Sequence, residues 1–320
     1  MKTNRWQYYN NVQTYIKRFR KQDELRLKTI KEYEKELKQM NKRKIGRPYI
    51  YTHTTILYIL LLLIFFRFSL REVIGYVIYH NLLTKIPNFR TLSYRIRFLP
   101  IDSYQEEILS HVRNNRFIAI SIDATGLSKN QINIWFEEKH KTKNKRSWMK
   151  LELVVDTYTK RVIYHNIYEG NKVNEGSYRR FKKTINNLIK KGYRIKVVYA
   201  DALYNSYNNF QFLENKGILP VIKIKRRSVI SLHDRYKGYL RNGKDLYARR
   251  LLHLSRDYYA LEQYDWERYK SRYRYGNREV VESVISVMKR KYGDKLRFRR
   301  KDNVRKELDL RVYLYNLMRE

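Results

Sequence analysis

SYRRFKKTINNLIKKGYRIKVVYADALYNSYNNFQFLENKGILPVIKIK, residues 177–225, decides the fold. Its first part repeats apolar residues at three- and four-residue intervals and stops at Gly192, as an amphipathic helix does. RIKVVYAD is then a short apolar run with strand character, YNNFQFLENKG reads as a second helix, and ILPVIKIK as another strand. Working backwards, RFIAISID (116–123) and WMKLELVVD (148–156) are strand-like, and RVIYHNIYEG (161–170) follows a turn at Thr157 to Lys160 to complete a hairpin. Three strands, then helix, strand, helix, strand predict an α/β domain with a mixed sheet flanked by helices.

The chain has 320 residues, 43% of them hydrophobic, enough for one large domain or two modest ones with a real core. Its 70 Lys and Arg against 31 Asp and Glu give a net charge of +39, so a polyanion is the natural partner and nucleic acid the commonest one. Tyrosines interleave with the bases in ERYKSRYRYGNR, where packing explains most of them and stacking beside phosphate-binding charge is the alternative. With no cysteine and no paired histidines, thiol-based zinc sites are excluded, and any catalytic metal has to be held by carboxylates. The apolar run ILYILLLLIFF (Ile56 to Phe66) is well short of the ~20 residues that span a bilayer. It reads as a buried helix; no membrane partner and a cytoplasmic, nucleoid-associated location are expected.

Residues 1–45 read as a basic helical arm, closed by the Gly-Arg-Pro at 46–48. Residues 46–112 follow as an all-helical, helix-turn-helix-like region, with N-caps expected at Thr54 and at Ser69, three residues before Glu72. Its last segment, NFRTLSYRIRFL, carries Arg90, Arg95 and Arg97 among apolar residues, as a helix lying against DNA would; any three-helix bundle on a basic protein would share that look. Residues 113–320 form the α/β domain, with 225–272 a basic, aromatic insertion of indistinct periodicity that supplies nucleic-acid contacts.

Asp123 and Asp201 each end an apolar run, an expensive place for a charge unless something compensates it. Parallel central strands project such residues into one crevice, although each Asp also reads as the cap of the turn that follows it. Asp156 precedes TYTK and reads as a hairpin turn residue. A helix from about Arg278 to Lys291 carries Glu282, with Arg278 about 40° and Lys289 about 20° from it around the axis. Val280, Val284 and Val287 fall on the opposite side, with Val281 and Met288 flanking them, so the valines pack and Glu282 faces outward with its cations. A solvated charged face satisfies this geometry equally.

The ordered set Tyr275, Arg278, Glu282, Lys289 reads Y-x2-R-x3-E-x6-K and resembles the signature of prokaryotic insertion-sequence DDE transposases. IDATGL, ADALYNSYNNFQFLENKGILPVIKIK and the terminal ELDLRVYLYNL resemble other segments of that family, and the likeness extends over most of residues 46–320. It implies an RNase H-like catalytic domain with Asp123, Asp201 and Glu282 as catalytic residues, holding two Mg2+ or Mn2+ ions about 4 Å apart. It further implies an enzyme that cleaves transposon ends and transfers the 3′-hydroxyl into target DNA. Arg278 and Lys289 would bind phosphates, Tyr275 would stack or hydrogen-bond nearby, and the DNA partners would be the terminal inverted repeats and the target, brought together by a homodimer. The competing readings are an RNase H-like nuclease or resolvase that joins no DNA, and a non-catalytic basic DNA-binding protein.

Overall fold

The computed structural model describes residues 12–113, 116–129, 148–170, 176–223, 232–254 and 266–319. The chain divides into two compact units, one from residues 1–108, 129–134 and 290–320, the other from 109–128 and 135–289. Parts of the expected basic arm and of the insertion at 225–272 lie outside the described residues.

The first unit is helical. It contains α1 (Val12–Lys31), α2 (Tyr33–Asn41), α3 (His53–Phe66), α4 (Leu70–Tyr79), α5 (Phe89–Arg95), which runs into a 3-10 turn at Ile96–Phe98, and most of α6 (Ile101–Ser110). The apolar run that reads as a buried helix is α3, buried without interruption from Thr55 to Ile64. Among the described residues no helix is long and apolar enough to cross a membrane.

The cap of α3 is Thr52, two residues earlier than expected; its hydroxyl accepts from the Thr55 amide at 3.0 Å. Thr54 is instead inside the first turn, where its hydroxyl and amide are given to the Glu36 carboxylate, which also accepts from the His53 amide at 2.9 Å. The amides that open a helix have no intrahelical acceptor, and here a side chain of α2 satisfies two of them. A second tie is the Asn41 carboxamide, which accepts from the Tyr49 amide at 2.7 Å and donates to the Tyr49 carbonyl at 3.0 Å. The expected cap at Ser69 is present as a reciprocal pair with Glu72.

From the far end of the chain comes the unit's closing helix, which holds a buried ion pair. Glu307 (0% exposed) and Arg311 (2%) sit one turn apart and meet at 2.6 Å. The carboxylate also accepts from the Arg297 amide at 2.8 Å, and the guanidinium donates to the carbonyls of Gly293 and Lys295 at 2.6 and 2.7 Å.

The second unit is built on β1 (Phe117–Lys129), β2 (Trp148–Asp156), β3 (Val162–Glu169), α7 (Tyr178–Lys190), β4 (Arg194–Ala200), α8 (Tyr207–Glu214) and β5 (Leu219–Ile222). The sheet order is β3-β2-β1-β4-β5, antiparallel through β1 and parallel beyond it. That is the mixed, RNase H-like arrangement. The hairpin comes first because Asp156, wholly buried, closes its turn by accepting from the Thr159 hydroxyl at 2.6 Å. The parallel half follows because α7 offers a stripe of Phe181, Ile185 and Leu188 to Ile118, Ile120 and Ile122 on β1, and so returns the chain to the sheet.

Two features differ from expectation. Strand β1 does not stop at Asp123: β2 continues to pair with it as far as Ser128↔Trp148, so Asp123 is a mid-strand residue opposite Leu153. The described part of the insertion is helical, as α9 (Leu232–Arg241), α10 (Asp245–Leu254) and α11 (Trp266–Tyr273). Much of its packing is done by Tyr236, Tyr239, Tyr247 and Tyr269 beside the buried Leu246 and Ala248, and the tyrosine hydroxyls hide the helical period from a hydropathy reading.

Candidate active site

The site begins with register. Strands β1 and β4 run parallel with Ile122 opposite Ala200, so the next residue on each, Asp123 and Asp201, stand level on neighbouring strands. Beyond Ala200 the β4 chain leaves the sheet in a 3-10 turn, Ala202–Tyr204, capped by the Asp201 carboxylate accepting from the Leu203 amide at 2.7 Å. The capping reading of Asp201 is therefore correct, and it leaves the carboxylate at the mouth of the sheet. Asp123 accepts from its neighbour's amide, Ala124, at 2.8 Å.

The third carboxylate arrives on α12 (Glu279–Tyr292), which follows a 3-10 turn at Tyr275–Arg278. That turn is pinned to the sheet three times. The Ser121 hydroxyl, two residues before Asp123 and on the same strand face, donates to the Arg278 carbonyl at 2.9 Å. The Tyr275 hydroxyl donates to the Ala200 carbonyl at 3.4 Å, and the Asn277 carboxamide to the Tyr199 hydroxyl at 3.2 Å. One turn further on, the Glu282 carboxylate accepts from the Arg278 guanidinium at 2.6 Å. Ser121 and Asn277 were not singled out in the sequence; for Ser121 the signal was its place in alternation with Asp123.

The Asp123 carboxyl is raised to about 6, by burial first and then by the negative charges of Asp201 and Glu282, against the downward pull of the Ala124 amide and the Arg278 guanidinium. Like charges gathered in a half-buried place are what a cation relieves, and three carboxylates form the oxygen donor set that suits a hard divalent ion. Among the described residues no three such groups stand close enough to enclose an ion as placed, Glu282 being turned onto Arg278. The donor chemistry of these carboxylates fits a divalent metal.

The raised carboxyl has a consequence for the metal-free protein. A folded-state value of about 6 against an ordinary 3.8 means that ionising Asp123 lowers stability. That penalty is small at pH ~4, grows as pH rises through the interval, and is complete above pH ~6, where it amounts to on the order of 3 kcal/mol. Without metal, Asp123→Asn should therefore melt higher than the parent at neutral pH and nearly equally at pH ~4. Thermal denaturation at the two pH values, with chelator present, checks this; an unchanged difference between them contradicts it.

Other residues singled out in the sequence lie in varied settings. Tyr275, expected to stack or hydrogen-bond near the site, is 6% exposed, packs its ring with Tyr269, Tyr199 and Val221, and gives its hydroxyl to the Ala200 carbonyl, so in this structure it holds the turn. The buried stripe of α12 is Val281, Val284, Met288 and Tyr292, with Val280 and Val287 only half-buried. The centre of the stripe lies on Val284 and the expected flanking residues Val281 and Met288 rather than on Val280 and Val287, because the pinned 3-10 turn fixes the rotation at which the helix starts and Tyr292 extends that set. Glu282 remains exposed and Lys289 half-buried.

In the helical unit, Arg90 is exposed, and Arg97 lies over the rings of Tyr94 and Phe98 at 4.9 and 5.6 Å. Arg95 does not lie against solvent. It is 5% exposed, 4.5 Å from the Tyr49 ring centre, because it falls three residues after Leu92 on the buried stripe of α5.

Comparison with known proteins adds the following. Residues 115–317 match the family described as "Transposase DDE domain". An uncharacterized protein of Aquifex aeolicus (strain VF5) is 27% identical over 267 residues, covering 80% of this chain and 73% of that one. Among solved structures, the Mos1 transposase paired-end complex with left transposon end has 13% identity over 75% of this chain and 81% of that chain, with a TM-score of 0.24. The Mos1 mariner paired end complex with Mn likewise has 13% identity over 77% and 81%, TM-score 0.24. Superpositions this loose add nothing to the fold described above.

Proposed function

We propose that this chain, which belongs to the transposase DDE-domain family, cuts and joins DNA with Asp123, Asp201 and Glu282. Membership makes it an insertion-sequence transposase, a polynucleotidyl transferase acting on DNA with the help of divalent metal. The assignment of residues is carried by one observation: Asp123 and Asp201 are level on adjacent parallel strands, and the turn before Glu282 is pinned to those same strands.

In this reading the three carboxylates hold two Mg2+ or Mn2+ ions. Such ions supply Lewis acidity, activating a water or 3′-hydroxyl for attack and stabilising the leaving 3′-oxygen. The protein's own part is positional and electrostatic. Arg278, paired with Glu282 at 2.6 Å through one guanidinium nitrogen, would offer its remaining N–H groups to a phosphate near the scissile bond. Lys289, two turns along α12, adds a second cation on the same side. Arg90, Arg97 and the insertion helices extend the contact to flanking DNA, and the signature Tyr275, Arg278, Glu282, Lys289 is one working unit in which Tyr275 fixes the turn. The substrates are the element's terminal inverted repeats and a target duplex, with two chains acting as a homodimer on paired ends.

A strand-transfer assay tests the reading. With DNA carrying the element's own ends and a supercoiled target, joined products are expected with Mg2+ or Mn2+. Cleavage without joining would make the chain a nuclease instead. Lys289→Ala should weaken end binding and flatten the dependence of log affinity on log salt by about one unit; an unchanged slope speaks against a phosphate contact.

A further inference from the structure

Asp201 does not set its own direction. One of its carboxylate oxygens accepts from the Leu203 amide, so the group points wherever the Ala202–Tyr204 turn is held. That turn is held from behind by a buried polar cluster that the proposed chemistry does not use. Tyr204, 1% exposed, donates its hydroxyl to Glu152 of β2 at 3.3 Å. Glu152, 6% exposed, is itself fixed through its other oxygen by the Asn166 carboxamide at 2.9 Å and the Thr184 hydroxyl at 3.4 Å. The Tyr204 carbonyl accepts from the Asn209 carboxamide at 2.9 Å, and the same carboxamide donates to the Gly176 carbonyl at 3.0 Å.

Gly176 seals the arrangement. Its φ is +70°, and a Cβ there would come within 2.3 Å of the Leu203 carbonyl oxygen, so only glycine lets the loop close on the turn. A buried carboxylate needs several hydrogen bonds to be tolerated, and a core tyrosine with leucine in place of this cluster would pack as well. The polar cluster is explained by what it orients.

We propose that Glu152 and Tyr204 are positioning residues for Asp201, acting through the 202–204 turn to set the affinity of the metal site. The inference rests on the reading of Asp201 as a metal ligand and adds a supporting layer beneath it. Supporting hydrogen bonds of this kind typically change metal affinity 10- to 100-fold.

The test is direct Mn2+ binding to the full chain, followed by electron paramagnetic resonance, beside melting temperature and cleavage. Tyr204→Phe removes one hydroxyl and keeps the ring; its Mn2+ dissociation constant should rise about tenfold, with the melting temperature lowered by a few degrees and cleavage recovering at saturating Mn2+. Glu152→Gln carries the same expectation and decides the matter if Tyr204→Phe does not fold. Parental Mn2+ affinity in the folded variants overturns the proposal. Asp201→Asn is the separate control: if it too binds Mn2+ like the parent, the metal-ligand reading falls, whereas loss of binding in Asp201→Asn alone leaves that reading intact and removes only the positioning role.

Discussion

Asp123→Asn, Asp201→Asn and Glu282→Gln are each expected to stop cleavage of DNA bearing the element's ends, a loss of at least about a thousandfold, while leaving DNA affinity nearly unchanged. Each substitution keeps the size of the side chain and removes one negative charge from a chain whose net charge is +39, so the electrostatic attraction that dominates binding hardly alters. What disappears is one donor of a set in which each member has a different anchor: mid-strand, strand end, and helix. Cleavage on a denaturing gel and binding by fluorescence anisotropy, measured on the same preparations, separate the two effects. A variant that cuts at the parental rate removes its residue from the site.

The largest effect on stability is expected at Glu307. Replacing it with alanine leaves the Arg311 guanidinium buried without its carboxylate and strips the acceptor from the Arg297 amide, for a loss of about 3–5 kcal/mol in the helical unit. Glu307→Leu combined with Arg311→Met should recover much of that loss, because desolvating two charges is no longer required. Calorimetry reads both; the two compact units call for separate transitions to be fitted rather than one. A single variant as stable as the parent would show that the pair contributes nothing net.

Much of the fold is legible in the sequence because its β-α-β half is written in local signals. The stripe on α7 and the glycine after it, the apolar run of β4 and the helix that follows are each decided within a dozen residues. The end of β1 was not legible, since ATGLSK has little apolar character and is held extended by β2, which is distant in sequence. Nor were the helices α9 to α11, many of whose packing residues are tyrosines. In the site, Asp123, Asp201 and Glu282 stood out by pattern and resemblance, whereas the pins from Ser121 and Asn277 depend on which strand lies beside which. Arg95 misled because a guanidinium in a basic protein suggests an outward face, and its place on the buried stripe of α5 overrules its charge.

The helical unit draws on both halves of the chain's length, and this governs the order in which the protein can be made. The apolar α3 is covered in part by the helix Lys301–Leu317, which leaves the ribosome roughly 240 residues later, tens of seconds at ~5–20 residues per second. Over that interval the unit carrying Asp123, Asp201 and Glu282 is synthesised in full while α3 waits for its cover. A nascent chain is therefore most exposed to aggregation at residues 56–64, and a stop codon shortly before Lys301 leaves the catalytic sheet whole but α3 permanently uncovered on that side.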